Sequence, residues 1–160
     1  MAAIGDVDEA NSALGMALLH VRGEAHRDML GRIQNELFDL GADLATPGED
    51  FTPGEMTLRV TSEQVARLER EIDGMNEELE PLRSFILPGG AAGSAHLHLA
   101  RAIVRRAERM AVVAAAQVAL NPQVLIYINR LSDHLFVLAR HVAKAEGGDT
   151  LWQPGATRGG

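Results

Sequence analysis

The chain has 160 residues, 46% of them hydrophobic but only 4% aromatic, so it can bury one core, and Leu, Ile, Val and Ala must pack it. A net charge of −7 argues against general binding to nucleic acid, and the lack of cysteine excludes disulfides, thiolate metal sites and a thiol nucleophile. No run approaches the ~20 apolar residues that span a bilayer, and the first fifteen residues carry Asp6, Asp8 and Glu9 with no basic residue, unlike a leader; the expectation is a soluble, cytoplasmic, single-domain protein.

The first helical segment is expected over Asp6 to Arg22, with Ala10, Leu14, Leu18 and Val21 facing inward. The second runs from Arg27 to Ala45, with the stripe Ile33, Leu37, Leu40 and Leu44. A Pro- and Gly-containing break, Thr46 to Glu55, separates it from a third helix over Ser62 to Glu80, carrying Val65, Leu68, Ile72, Met75 and Leu79. Thr61 and Gln64 ahead of that stripe form a capping-box pattern. A second break, Pro81 to Ala95, leads to an Ala- and Arg-rich helix over Ala95 to Ala119. Its inner side is Leu97, Val104, Ala107, Ala111, Ala115 and Val118, small enough for a neighbouring helix to approach closely. Asn121 as cap and Pro122 at the first helical position open the last helix, whose stripe is Val124, Ile128, Leu131, Leu135, Leu138 and Val142. Gly147-Gly148 stops it. Together these predict an all-α, antiparallel five-helix bundle over residues 1–146, followed by a flexible tail over residues 147–160.

Four stretches stand out chemically. In the fourth helix Arg101, Arg105 and Glu108 share one face with Arg109 beside them, while Arg106 points elsewhere. This is either a solvated face with i,i+4 pairing or a phosphate clamp, since guanidinium forks match phosphate oxygens. Phe85 to Gly90, "FILPGG", is either a loop tucked over the bundle end or an apolar wall for a large flat ligand. In "YINRLSDHLFVLAR", Tyr127 to Arg140, the residues Asn129, Asp133 and Phe136 lie off the apolar stripe and so meet another subunit or line a cleft; Arg130 is placed to bridge to an acidic neighbour. Asp6, Asp8 and Glu9 read as first-turn acids favoured by the helix dipole. His96 and His98 are two apart and no ExxH occurs, which argues against a di-iron bundle; no metal ligand is assignable. Walker-type and GxSxG elements are also missing, so a nucleotide site would have to be built from helices.

The stretches "GDVDEANSALG", "IQNELFDLGADLATP", "FILPGG", "LHLARAIVRRAER", "YINRLSDHLFVLAR" and "LWQP", in that order from Gly5 to about Pro154, resemble the PduO-type ATP:cob(I)alamin adenosyltransferases. The resemblance implies an enzyme, a homotrimer of five-helix bundles, that transfers the 5′-deoxyadenosyl group of ATP to reduced cob(I)alamin and releases triphosphate at sites between subunits. Its substrates would be ATP, with Mg²⁺, and the corrinoid; its partners would include a flavoprotein reductant and an adenosylcobalamin-dependent mutase, with no nucleic acid and no membrane. Carried over by residue, Arg105 would hold the triphosphate with help from Arg106 and Arg109, and Glu108 and Asn129 would contact the nucleoside or the metal-bound end of ATP. Arg101 would pair with Asp8 across the subunit boundary. Phe85 and Phe136, with Leu87 nearby, would pack on the lower face of the corrin, and Asp133 would support the Asn129–Arg105 region. Arg105 and Phe85 are thus the residues expected to carry catalysis. The resemblance also implies a Gly- and Thr-rich phosphate loop of the type TRTGDxGxT. It does not occur in the chain, and the expectation is that it precedes Met1. Its absence motivates an alternative, a non-catalytic bundle that binds a corrinoid or nucleotide and delivers adenosylcobalamin; a pure assembly module is a third reading.

Overall fold

The computed structural model describes residues 2–159. Five helices carry the fold: α1 (Ala2–Leu18), α2 (Glu24–Leu44), α3 (Ser62–Glu77), α4 (Ala92–Ala115) and α5 (Pro122–Lys144). The all-α bundle expected from the apolar periodicity is what forms. α5 lies between α3 and α4 and touches α2, while α1 packs against α4 and α2.

The α5 stripe is wholly buried, from Val124 through Val142, and Tyr127 joins it with no exposure at all. Its start is as the sequence predicts: the Asn121 side chain accepts from the Gln123 amide and Pro122 occupies the first turn. The Thr61–Gln64 capping box also forms, with Thr61 Oγ1 accepting from Gln64 N and Gln64 Oε1 accepting from Thr61 N.

Small residues set the α1–α4 spacing. Ala3, Ala10 and Ala17 meet a helix whose buried positions include Ala100, Ala107 and Ala111. At Gly93 a Cβ would lie 3.1 Å from the His20 carbonyl oxygen and 3.2 Å from Val21 Cγ2, so the turn after α1 needs a glycine to rest on α4.

Several helix ends differ from the expected ones: α1 stops earlier, at Leu18, and α2 starts earlier, at Glu24. α1 begins at Ala2, because a run of small residues extends the helix upstream of its acids; Asp6, Asp8 and Glu9 therefore sit beyond the first turn and do not cap it. α4 starts at Ala92 and ends at Ala115, so Val118 lies past the helix and is exposed rather than inward. α3 ends at Glu77, leaving Leu79 partly buried in the following loop.

Two buried polar centres were not visible in any one segment. Asp43 on α2 accepts from Arg59 Nη1 at 2.7 Å, from the Val60 amide at 2.8 Å and from Asn121 Nδ2 at 2.7 Å, which fastens the α2–α3 connection to the start of α5. Glu36 accepts from the Tyr127 hydroxyl at 2.6 Å and from Arg67 at 3.1 Å, and next to it Glu71 accepts from Arg32 and from His134 at 2.7 Å. Burial alone would push the Glu71 carboxyl up, but the His134 and Arg32 contacts outweigh it and pull its pKa down to about 2.

Candidate functional site

The arginines of α4 separate by partner. Arg106, the one whose angle sets it apart, reaches across to α1, where Asp6 accepts at 3.0 Å and Glu9 also accepts. Arg105 and Arg109 have no carboxylate partner among the described residues; Arg109 Nη1 donates only to the Arg105 carbonyl, at 3.2 Å. Arg101 is half-buried, its guanidinium carbon 5.0 Å from the Phe136 ring centroid and its Nε without an acceptor among the described residues. Burial and the neighbouring Arg105 charge lower the Arg101 pKa, with Asp133 opposing them. In a chain of net charge −7, this is a local concentration of positive charge.

α5 supplies the other half of this surface. Asn129 Nδ2 donates to Glu108 Oε1 at 2.8 Å, so the two residues meet across the α4–α5 seam. Arg130 Nη1 donates to Asn129 Oδ1 at 2.6 Å, fixing which way the amide faces, and its Nε bridges to Glu69 at 2.9 Å, the acidic neighbour expected for it. Asp133 is mostly exposed and lies 3.7 Å from Arg130, through which it reaches Asn129. Phe136, half-buried one turn further on, meets His98 edge to face with centroids 6.2 Å apart. His98 is buried with Nε2 unpartnered among the described residues, and burial together with Arg101 lowers its pKa.

The "FILPGG" segment is exposed: Phe85 is 76% accessible and Leu87 44%, so neither tucks into the bundle. Gly90 has φ 85, the left-handed conformation the turn requires of a glycine. The tail comes back to this segment. Ile86 and Leu151 form an antiparallel bridge, and the Trp152 ring lies 5.9 Å from that of Phe85. Trp152 and its neighbours are therefore placed beside Phe85, a pairing that sequence spacing did not reveal.

Asp8 stands on the far side of α1. It is exposed and lines an open groove of about 370 Å³ between α1 and α2 with Asn11, Ser12, Gln34, Asn35 and Phe38. Phe38 is 71% exposed, a large apolar side chain left uncovered beside Asp8, and it was not singled out in the sequence. No ion pair joins Asp8 to Arg101 within the chain. The site residues thus lie on three parts of the chain: the α4–α5 surface of Arg101, Glu108, Asn129 and Phe136, the Phe85–Trp152 pair, and the α1–α2 face with Asp8.

Among the described residues no group of three His, Cys, Asp or Glu side chains could hold a metal. No helix among the described residues is long and apolar enough to cross a membrane.

Comparison with known proteins gives one consistent result. The family model described as cobalamin adenosyltransferase matches residues 1–142. The corrinoid adenosyltransferase of Mycobacterium leprae is 47% identical, covering 97% of this chain and 83% of that protein. The cobalamin adenosyltransferase of Cupriavidus metallidurans is 46% identical, covering 94% and 79%. Among solved structures, a variant of the PduO-type ATP:corrinoid adenosyltransferase of Lactobacillus reuteri, complexed with cobalamin and ATP, superimposes with a TM-score of 0.85 at 37% identity, covering 95% of this chain and 84% of that one.

Proposed function

The chain belongs to the cobalamin adenosyltransferase family, and we propose that it transfers the 5′-deoxyadenosyl group of ATP to the cobalt of a reduced corrinoid, releasing triphosphate, at sites shared between the subunits of a homotrimer. The observation that carries this reading is the uncompensated arginine face: Arg105 and Arg109 without carboxylate partners beside a half-buried Arg101, next to a Glu108–Asn129 pair.

The reaction needs little acid–base help. The cobalt(I) electron pair attacks the ribose C5′, the C5′–oxygen bond breaks, and its electrons leave with the triphosphate. What the protein must supply is position and charge neutralisation. Arg105 is assigned to the triphosphate because its fork is free; Arg109 flanks it. Arg106 follows in rank, since Asp6 and Glu9 already claim its guanidinium. Glu108 and Asn129, fixed by their mutual bond and by Arg130, are assigned to the nucleoside and the metal-bearing end of ATP. The donor set suits a magnesium ion carried mainly by phosphate oxygens with Glu108 alongside, since magnesium commonly relies on one or two carboxylates plus substrate phosphates. Bound there, it would offset charge on the departing triphosphate.

The harder step is making cobalt(I). Axial ligands stabilise cobalt(II), so a surface that offers none, and keeps water away, eases its reduction. Phe85, Phe136 and Leu87 are assigned to that lower-face wall, as none has a ligating atom. Asp8 of one subunit is assigned to Arg101 of the next, which closes the corrin side of the site and accounts for the separation of Asp8 from Arg101 within one chain. Asp133 supports Asn129 through Arg130. A flavoprotein reductant upstream and an adenosylcobalamin-dependent mutase downstream are the partners this chemistry calls for, and the cytoplasm, where ATP is abundant, is the compartment that suits it.

Anaerobic incubation with ATP, Mg²⁺ and cob(I)alamin tests the reading: the adenosylcobalamin spectrum is expected. Tight cobalamin binding with no ATP binding and no product would instead favour a carrier that delivers the cofactor.

A further inference from the structure

We infer that Arg140 and Asp149 form a latch that positions the Phe85 wall by docking the carboxyl-terminal segment against it. Arg140 lies on α5, nine-tenths hidden. Its Nε donates to Asp149 Oδ2 at 3.0 Å and its Nη2 donates to the Glu80 carbonyl at 2.8 Å. One guanidinium therefore holds both the loop that leads to Phe85 and the start of the tail. From that anchor the two segments run side by side. The Leu87 amide donates to the Thr150 carbonyl at 2.8 Å, the Trp152 amide donates to the Phe85 carbonyl at 2.8 Å, and Ser84 Oγ donates to the Trp152 carbonyl at 2.8 Å.

The route back is built in. Gly147 and Gly148 have φ 104 and 84, and the Gly148 amide donates to the Ala143 carbonyl at 2.8 Å, turning the chain off the end of α5. The pairing itself is short, and a two-stranded ribbon of this length is marginal in water. Apolar contact between the segments is partial, with Phe85 76% and Trp152 44% exposed. The charged, largely buried Arg140–Asp149 contact, with side-chain exposures of 10% and 16%, ties the tail to the bundle through side chains. Arg140 follows Phe136 by four residues on α5, which places the latch one turn beyond Phe136 on the same helix face. Arg140 and Asp149 are thus positioning residues. They touch neither ATP nor cobalt but determine how much of the time Phe85 and Trp152 stand together as a wall.

This inference rests on the proposed role of Phe85 against the corrin, so its test has two readouts. Trp152 is the only tryptophan in the chain, and its fluorescence reports docking without any ligand. Asp149→Ala, outside the helices, is expected to leave the far-ultraviolet circular dichroism unchanged while shifting Trp152 emission to the red and lowering its anisotropy. The docking equilibrium should fall about tenfold, the usual scale for losing a hydrogen bond between charged groups. Turnover starting from Co(II)cobalamin and a reductant should then fall several-fold more than turnover from pre-formed cob(I)alamin, and Asp149→Glu should restore part of both signals. Unchanged emission and anisotropy in Asp149→Ala would overturn the latch. Altered fluorescence with equal losses in the two assays would overturn its positioning role. Equal losses in Phe85→Ala would instead strike the wall itself, so the two failures are told apart.

Discussion

Replacing Phe85 with alanine separates the making of cobalt(I) from its use. A phenylalanine side chain presents about 200 Å², and Phe85 is 76% exposed in the free chain. Truncation therefore removes only about 50 Å² of existing burial, less than about 1.5 kcal/mol of stability at ~25 cal/mol per Å², and the bundle should unfold at nearly the same temperature. The remaining ~150 Å² is what a corrin face would cover, an upper bound of about 4 kcal/mol. If half of it is realised on the ligand-free face of cobalt(II), the loss is about 2 kcal/mol, roughly thirtyfold. The assay is anaerobic turnover followed by the adenosylcobalamin spectrum, run once from Co(II)cobalamin with a chemical reductant and once from pre-formed cob(I)alamin. The first rate should drop at least tenfold more than the second. Equal losses would refute the reasoning, because a residue that merely helps corrin binding would depress both.

Other outcomes follow from the same geometry. Asp8→Ala and Arg101→Ala should each be inactive or nearly so as pure oligomers, yet chains unfolded together and refolded as mixtures should regain activity, since some sites then pair a native Asp8 with a native Arg101; no recovery would contradict a shared site. Arg105→Lys keeps the charge but loses the fork, and should raise the ATP dissociation constant about tenfold with little change in melting temperature, measured by calorimetric titration. Glu71 has its pKa pulled from 4.5 to about 2 in the folded chain. Its stabilisation is therefore fully present above about pH 4.5 and is lost as pH falls towards about 2. After allowance for solvent screening it is worth about 2 kcal/mol, and denaturant titrations of Glu71→Gln against the parent chain should converge at the acid end. Tyr127→Phe deletes the buried donor to Glu36 and should cost about 1–2 kcal/mol in the same titration, without altering turnover.

What could be read from the sequence depended on whether the signal was local. α5 is legible because its apolar spacing, its Asn121 cap and its Pro122 lie within one segment, and each constrains the others. The start of α1 is not, because Ala2, Ala3, Ile4 and Gly5 carry neither a cap nor a stripe, and two of the acids that resemble a first turn, Asp6 and Glu9, are engaged by Arg106 from α4. Helical angle alone set Arg106 apart from Arg101, Arg105 and Arg109, but nothing in the spacing says which carboxylates would take it. The same limit hid the Asp43–Arg59–Asn121 centre, whose three members come from three segments. Arg140 and Asp149 are only nine positions apart, yet their purpose depends on Phe85 and Trp152, brought together by single backbone bonds rather than by a run of alternating residues. An arginine inside an otherwise apolar stretch, followed by a glycine pair and an aspartate, is the signal that was there to be used.

The most direct measurement is the electron paramagnetic resonance spectrum of Co(II)cobalamin bound to the protein in the presence of ATP. Loss of the lower-face nitrogen coupling, with the large g-anisotropy of a four-coordinate cobalt(II) centre, is the predicted result, and Phe85→Ala should diminish it. A bound cobalt(II) that keeps an axial ligand, whether nitrogen or water, would contradict the account at its centre.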